Sequence, residues 1–570
     1  MSVTTGTFPG IRIFDMPDLG PVSDTSSVVG ERAGSGRFSA LALRTYALGD
    51  EVALRLAGDR QIAFSPLQYG AKGDGVTDDA LSIQQTLDAA ATAGGGVVYL
   101  TPTGHAYLIG TGLSVAAGVM LAGAGTRNFA GTTATIAQWA ARGSWLQSTD
   151  TTKPAVVLQG HGASIDGVNF IYAHPIPNGS FSPTNYPVTI YVPGTGSGDL
   201  NSISRIMVIG GTAGIWLDYT TGSGGGTGVT IRDVLLSVFF YGLRTINVND
   251  TICVENMKVR NLWYDTTASV VNHNLANLVG WDCHYTDNAV VNGFEVFQAK
   301  DGFLFTDGTC LGTTHSLFNG QLTNVSFNLV DTGMACASTS TTLTGQFNNT
   351  LAQSADGASA ELFGLNSDNV DVAFSNLRIP AAGGGLMTIG NGGGGRITID
   401  NLECLGYSGN APGLAGIQIS ANATLTIGVI TLVRDAGGGR FFSGPGLVRS
   451  ENDGYWQPFT APQSVTATGG TQNVGVTNAF DPIEHGALQG RIIGSANVTT
   501  PQPGGTMAFG ISGFPAITIS GVSAGSAGLH LLDSGWLDFV TGPGGELGTV
   551  QVTATAGVVV DVSGVMMEWR

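Results

Sequence analysis

Gln68 to Leu100 reads QYGAKGDGVTDDALSIQQTLDAAATAGGGVVYL, and its three parts set the expectation for the rest of the chain. Gly70 to Asp79 is dense in glycine and aspartate and reads as a turn-rich loop. Ala80, Ile83, Leu87, Ala90 and Ala91 then recur at the spacing of one buried helical face. Thr77 or Asp78 can receive the first helical amides, and Asp78 and Asp79 suit the positive end of the helix. Gly94-Gly95-Gly96 stops the helix, and Val97-Val98-Tyr99-Leu100 reads as a strand. Hundreds of residues follow with almost no helical periodicity. A single helix near 79–93 ahead of many strands is expected to cover the open end of a long β structure, whose unpaired edges would otherwise meet other chains. Turn and cap roles account for Asp74, Asp78 and Asp79, so the stretch speaks to fold and not to chemistry.

Composition agrees with that reading. The 570 residues include 87 glycines, about twice the usual share, and only 11% charged residues against an average of about 25%. A hydrophobic content of 42% is that of a folded chain. The formal charge of −18, with no basic stripe, excludes a nucleic-acid partner and gives no general attraction to anionic membranes or acidic glycans. Arg244, Lys258, Arg260 and Lys300 could override this locally. The 5 cysteines form no C-x-x-C pair and read as free thiols. The first residues lack the basic and apolar regions of a signal peptide, and no run reaches transmembrane length, so no membrane insertion is expected.

From about 105 to 450 a short motif recurs: apolar, polar, apolar, polar, Asn or Asp, apolar. It occurs at Ala163–Val168, Val229–Val234, Ile252–Met257, Gln321–Val325, Val372–Leu377 and Ile397–Leu402. A period of about 25 residues is that of one solenoid coil, each burying its apolar face on its neighbours. The asparagines are expected to form a ladder at the turns. Past about 460, short strands between Gly/Pro turns suggest a β-sandwich. Gly521-Val522-Ser523-Ala524-Gly525 fits the G-x-S-x-G pattern but lacks the strand-to-helix turn of a hydrolase elbow.

The loop Gly70-Ala71-Lys72-Gly73-Asp74-Gly75-Val76-Thr77-Asp78-Asp79, the helix, and then Gly95-Gly96-Val97-Val98-Tyr99-Leu100-Thr101-Pro102-Thr103-Gly104-His105-Ala106-Tyr107 resemble the entrance of the pectate-lyase-like right-handed parallel β-helix family. In that family's phage tailspike and tail fibre members such a cap follows a short module that attaches to the virion, and the present chain has about that length of sequence ahead of it. It implies an all-β fold: a right-handed parallel β-helix over 63–455 with its capping helix, and a β-sandwich-like domain over 456–570 for trimerisation or glycan binding. It further implies a homotrimer whose residues 1–62 attach to phage baseplate or tail proteins. Such a protein is made in the host cytoplasm, released by lysis and carried on the virion. Its partner would be a bacterial surface polysaccharide, bound and cleaved by hydrolysis. A non-catalytic receptor-binding fibre and a bacterial polysaccharide lyase are the alternatives. The plant-type polygalacturonase signature is missing, since no second Asp-Asp pair follows the cap.

Glycosidic cleavage needs two carboxylates, about 5–5.5 Å apart for retention or 6.5–9.5 Å for inversion. Coils stacked at about 4.8 Å supply such separations. Asp233, Glu255, Asp282, Asp307, Asp331 and Asp356 follow at near-coil spacing. The segment Trp281 to Asp307 is richest in acids and aromatics. Asp282, Glu295, Asp301 and Asp307 are the candidate catalytic acids; Trp263, Trp281, Tyr285 and Lys300 are the candidate substrate-binding residues. His284 reads as a hydrogen-bonded turn residue. The 8 histidines show no metal-ligand spacing, and neither metal nor cofactor is expected.

Overall fold

The computed structural model describes residues 7–8, 11–12, 27–30, 36–39, 63–125, 129–194, 200–220, 226–310, 313–315, 317–355, 361–380, 382, 385–407, 416–434, 442–443, 447–450, 454–456, 463–466, 471–473, 489–511, 514–523, 528–533, 537–538, 550–554, 556 and 559–569. Apart from four short strands, the attachment module assigned to 1–62 lies outside the described residues. The chain forms two compact units: Met1–Leu243 with Asn261–Val270, and Arg244–Arg260 with Val271–Arg570.

In the first unit the helix spans Ala80–Thr92 and buries Ala80, Ile83, Thr86, Leu87 and Ala90. The aspartates before it bind backbone. Asp74 accepts from the amides of Val76 and Thr77 and from the Thr77 hydroxyl, and the two amides and that hydroxyl hold its carboxyl down to about 2. Asp79, which is buried, accepts from the amides of Lys72 and Gly73 at 2.6 and 2.9 Å. Asp78 takes the first helical amide, Ala80, and the amide of Gly110. Gly73 has φ 60°, and a Cβ there would meet Thr103 at 2.6 Å, so the loop needs glycine at that point.

Parallel strands then stack in register. Val98, Leu121, Ile165, Ile203 and Ile231 form one inward column. Tyr107, Leu146, Phe170 and Val208 form a second, and Leu113, Val156, Ile190 and Ile215 a third. All are buried, and each aliphatic side chain so placed contributes about 1.5–3 kcal/mol. Inward columns built by successive coils are the architecture of a parallel β-helix, the expected fold.

The second unit repeats the scheme. Val254, Val291, Leu322, Phe347, Phe374, Ile399 and Ile427 share one column. Met257, Phe294, Val325, Thr350, Leu377 and Leu402 share another. Trp281, Phe303, Met334, Phe363, Met387 and Ile417 form a third. At the bends, Asn256, Asn324 and Asn349 have φ of 50°, 57° and 55°, and Gly293 has 77°. Only Gly, Asn and Asp adopt this left-handed region readily. The expected ladder is present: Asn349 donates to Asn324, Asn376 to Asn349 and Asn401 to Asn376, at 3.3, 3.1 and 3.4 Å. Toward the C-terminus, six strands between Gly454 and Trp569 and four between Thr471 and Ala554 form two antiparallel sheets.

Among the described residues, which leave out Asp356, the stack of acids inferred from sequence spacing is broken. Glu255 pairs with Asn292, and Asp282 pairs with Leu304, which pairs with Ala335. The chain inserts a helix, Ala268–Asn277, between the strands Ile252–Arg260 and Val279–Cys283, so equal spacing no longer means equal rung.

Two substitutions test the columns. Asn349→Ala removes the amide bonds and strains the bend, and is expected to cost about 1–3 kcal/mol in chemical denaturation, with Asn349→Gly milder. Equal losses would sink the left-handed explanation. Thr350 is buried in an apolar column with its hydroxyl unpartnered. Thr350→Val is therefore expected to raise stability by about 1 kcal/mol, and a loss of stability would show that the hydroxyl is satisfied.

Candidate active site

The strand Val279–Cys283 divides its residues by alternation. Trp281 faces inward and is fully buried. Its ring stacks on Phe294 at 5.7 Å, meets the edges of Phe303 and Phe318, and donates from Nε1 to the Thr245 hydroxyl at 3.0 Å. No face of it is open to a sugar: the ring is core. Trp263, in the first unit, is 7% exposed and packs against His174, Phe181, Phe239 and Tyr264 within an apolar cluster.

Asp282 points the other way yet is only 2% exposed, because polar groups cover it. Arg244 Nε lies 2.9 Å from its Oδ2, His284 Nε2 lies 3.1 Å from the same oxygen, and the Thr306 hydroxyl donates to Oδ1 at 2.9 Å. His284 Nδ1 stands 3.2 Å from the main-chain oxygen of Asp307, and Nε2 is 2.8 Å from Arg244 Nη2. With the proton on Nδ1, the ring donates to Asp307 and accepts from Arg244, which satisfies both nitrogens. Removing one partner of a buried charge network typically costs about 3–5 kcal/mol.

The other candidates spread around this cluster. Asp307 is half-buried and accepts from the Ser340 hydroxyl. Glu295 faces outward and pairs with Lys258 at 2.8 Å. Tyr285 opens its strand and is half-buried. Asp301 is 5% exposed; Lys300 Nζ stands 3.4 Å from Oδ2, and that oxygen has no hydrogen-bond donor among the described residues. Burial raises the Asp301 pKa, Lys300 opposes the rise, and the charges of Asp331 and Asp282 add to it. The register brings no two of the four acids onto paired rungs: Glu295 sits between Lys258 and Ser326, and Asp301 between Val279 and Thr332.

Residues 64–295 match the family model for rhamnogalacturonase A/epimerase, pectate lyase-like. The matched span includes Arg244, Asp282 and His284 and stops before Asp301. A curated relative, mannuronan C5-epimerase AlgE4 of Azotobacter vinelandii, is 51% identical over 63 residues, 10% of this chain and 11% of that protein. The match therefore spans about a tenth of the relative's length. Among solved structures, the tailspike protein of E. coli bacteriophage HK620 in complex with a pentasaccharide is 12% identical with a TM-score of 0.43, covering 93% of this chain and 96% of that one. The catalytic unit of a GH87 alpha-1,3-glucanase from Streptomyces thermodiastaticus is 16% identical with a TM-score of 0.42, covering 71% and 70%. The fold of the present chain rests on its own strand register.

Sequence spacing names neither Arg244 nor Thr306 as a site residue; His284 is a hydrogen-bonded residue at a bend, as expected, and the bend is what brings it to Asp282. Arg244 is remote from Asp282 in sequence, so spacing could not join them; the nearest signal was His284, at the bend that follows the strand Val279–Cys283.

The buried acid gives a pH test. Its folded pKa is raised, so the protonated form is favoured by folding, and stability is lost as pH rises through the folded value. Asp301→Asn is expected to raise the melting temperature at pH 8, with the gain vanishing below about pH 4, the ordinary carboxylate range. A variant that melts lower than the parent at pH 8 would show that the ionised carboxylate is stabilised in place.

Proposed function

We propose that this chain is a tailspike-like protein that binds and hydrolyses a bacterial surface polysaccharide at the cluster around Asp282 and Asp301. The observation that carries the reading is the pairing of environments: one acid buried with a raised pKa, the other held by Arg244, His284 and Thr306. A protonated acid of the cluster gives its proton to the glycosidic oxygen, which leaves with the electron pair of the broken C–O bond. The Asp282 carboxylate, held in place by Arg244 and Thr306, draws a proton from the water that attacks the anomeric carbon. Glu295 and Asp307 stand outside this pair as the remaining acids to test, and Lys300 and Tyr285 as the residues able to reach substrate. The assembly proposed is a homotrimer carried on a phage virion, attached through residues 1–62 to tail proteins.

The matched family and the curated relative both name carbohydrate enzymes, and both names include epimerase. They favour a second reading, proton abstraction from a uronate, giving epimerisation or β-elimination.

Purified protein incubated with capsular, O-antigen, galacturonan and mannuronan polysaccharides separates these outcomes. Hydrolysis releases reducing ends without absorbance near 235 nm, elimination gives both, and epimerisation incorporates solvent deuterium without chain scission. With hydrolysis, Asp301→Asn is expected to lower turnover about 100-fold or more, with native mass spectrometry giving a trimer for parent and variant. Full turnover in Asp282→Asn, Glu295→Gln, Asp301→Asn and Asp307→Asn alike would move the site elsewhere. Binding without any reaction would make the protein a receptor-binding fibre.

A further inference from the structure

In a chain with 41 acidic and 23 basic side chains, a guanidinium without a counter-charge stands out. Lys258 and Arg260 alternate with buried residues on the outward face of the strand Ile252–Arg260. The register sets Lys258 beside Glu295 and Arg260 beside Phe297. The first rung is neutralised, since Lys258 Nζ is 2.8 Å from the Glu295 carboxylate. The second is not. Arg260 lies over the Phe297 ring, its Cζ 4.9 Å from the centroid. Its Nε–H is shielded from solvent and has no acceptor. Among the described residues Arg260 makes neither a hydrogen bond nor an ion pair. The next residues in the same outward row are Asn328 and Gln353, both uncharged. The row therefore runs guanidinium, phenyl ring, amide, amide, at a rung spacing of about 4.8 Å.

Leaving a buried donor unpaired costs stability unless a ligand supplies the acceptor. The ring holds the guanidinium head in place, and its planar fork matches a carboxylate through two parallel N–H···O bonds. We propose that Arg260 is a subsite for the carboxylate of a uronate unit, with Asn328 and Gln353 hydrogen-bonding hydroxyls of the neighbouring sugars. This rests on the polysaccharide reading above and narrows it to a glycan bearing carboxylates. The overall negative charge of the protein does not oppose it, because at physiological salt charges beyond about 8 Å are largely screened.

The test uses the full chain, with trigalacturonate, trimannuronate, their carboxyl-reduced counterparts and sodium glucuronate as probes in calorimetric titration. At least one acidic trisaccharide is expected to bind the parent 10-fold or more tightly than its carboxyl-reduced form. Arg260→Gln is expected to abolish that preference while keeping the native circular dichroism spectrum and a cooperative unfolding transition, Arg260→Lys to keep part of it, and Arg396→Gln to keep all of it. A preference that survives in folded Arg260→Gln, equal binding of acidic and reduced forms by the parent, or no binding of any acidic probe overturns the proposal. Glucuronate bound through Arg260 with no trisaccharide bound would keep the anion site and overturn the polysaccharide reading instead. Trisaccharides bound with no effect of Arg260→Gln would do the reverse.

Discussion

Every coil of a parallel β-helix satisfies its backbone through the coil before it and the coil after it, so equivalent residues must fall on the same rung. A slip of one residue would turn a whole inward set outward. This constraint explains why the bends at the asparagine ladder favour so few residue types. The chain must turn without adding a residue, and a left-handed residue does so. Asp233, Asn256, Asn324 and Asn349 accept φ of 50–57°, and Gly167 and Gly293 take the same role. Asparagine adds what glycine cannot, an amide that donates to the amide one rung below.

That constraint was legible in the sequence because it repeats. The motif ending at Val325, Leu377 and Leu402 marks bend residues that the structure stacks. The site was less legible because it lies where the repeat is broken. The insertion after Arg260 shifts the count, so an acid one period away is not one rung away. Trp281 shows a second reason. Its acidic surroundings suggested a platform for sugars, yet it shares a parity with Val279 and Cys283, and strand alternation turns all three inward. Tertiary packing, not local composition, decided which of Trp281 and Asp282 met the core.

Magnitudes separate ornament from structure among the charges. The outward pairs Lys258–Glu295, Arg378–Glu403 and Arg396–Asp371 join adjacent coils, but their side chains are 26–64% exposed. Pairs of that kind contribute about 0–1 kcal/mol each. The Asp282 network is of another kind: the carboxylate side chain is 3% exposed, His284 11% and Arg244 22%. Desolvating such charges offsets much of their attraction, and apolar residues of similar volume would often serve stability as well. A solenoid whose other rungs use neutral amides and aliphatic columns therefore gains little from this network as scaffolding.

Asp301 makes the stronger case. In the strand Asp301–Phe305 the residues of its parity are Phe303 and Phe305, both fully buried. The residue opposite on one side is Val279. By the rule that builds every other rung, this position calls for an aliphatic side chain. A carboxylic acid is tolerated there because it can hold its proton, which avoids most of the cost of a buried charge but leaves an oxygen without a hydrogen-bond donor among the described residues. Lys300, next to it and half exposed, stabilises the carboxylate once the proton has gone. Packing alone would not have chosen an acid at this position, and burial favours its protonated form.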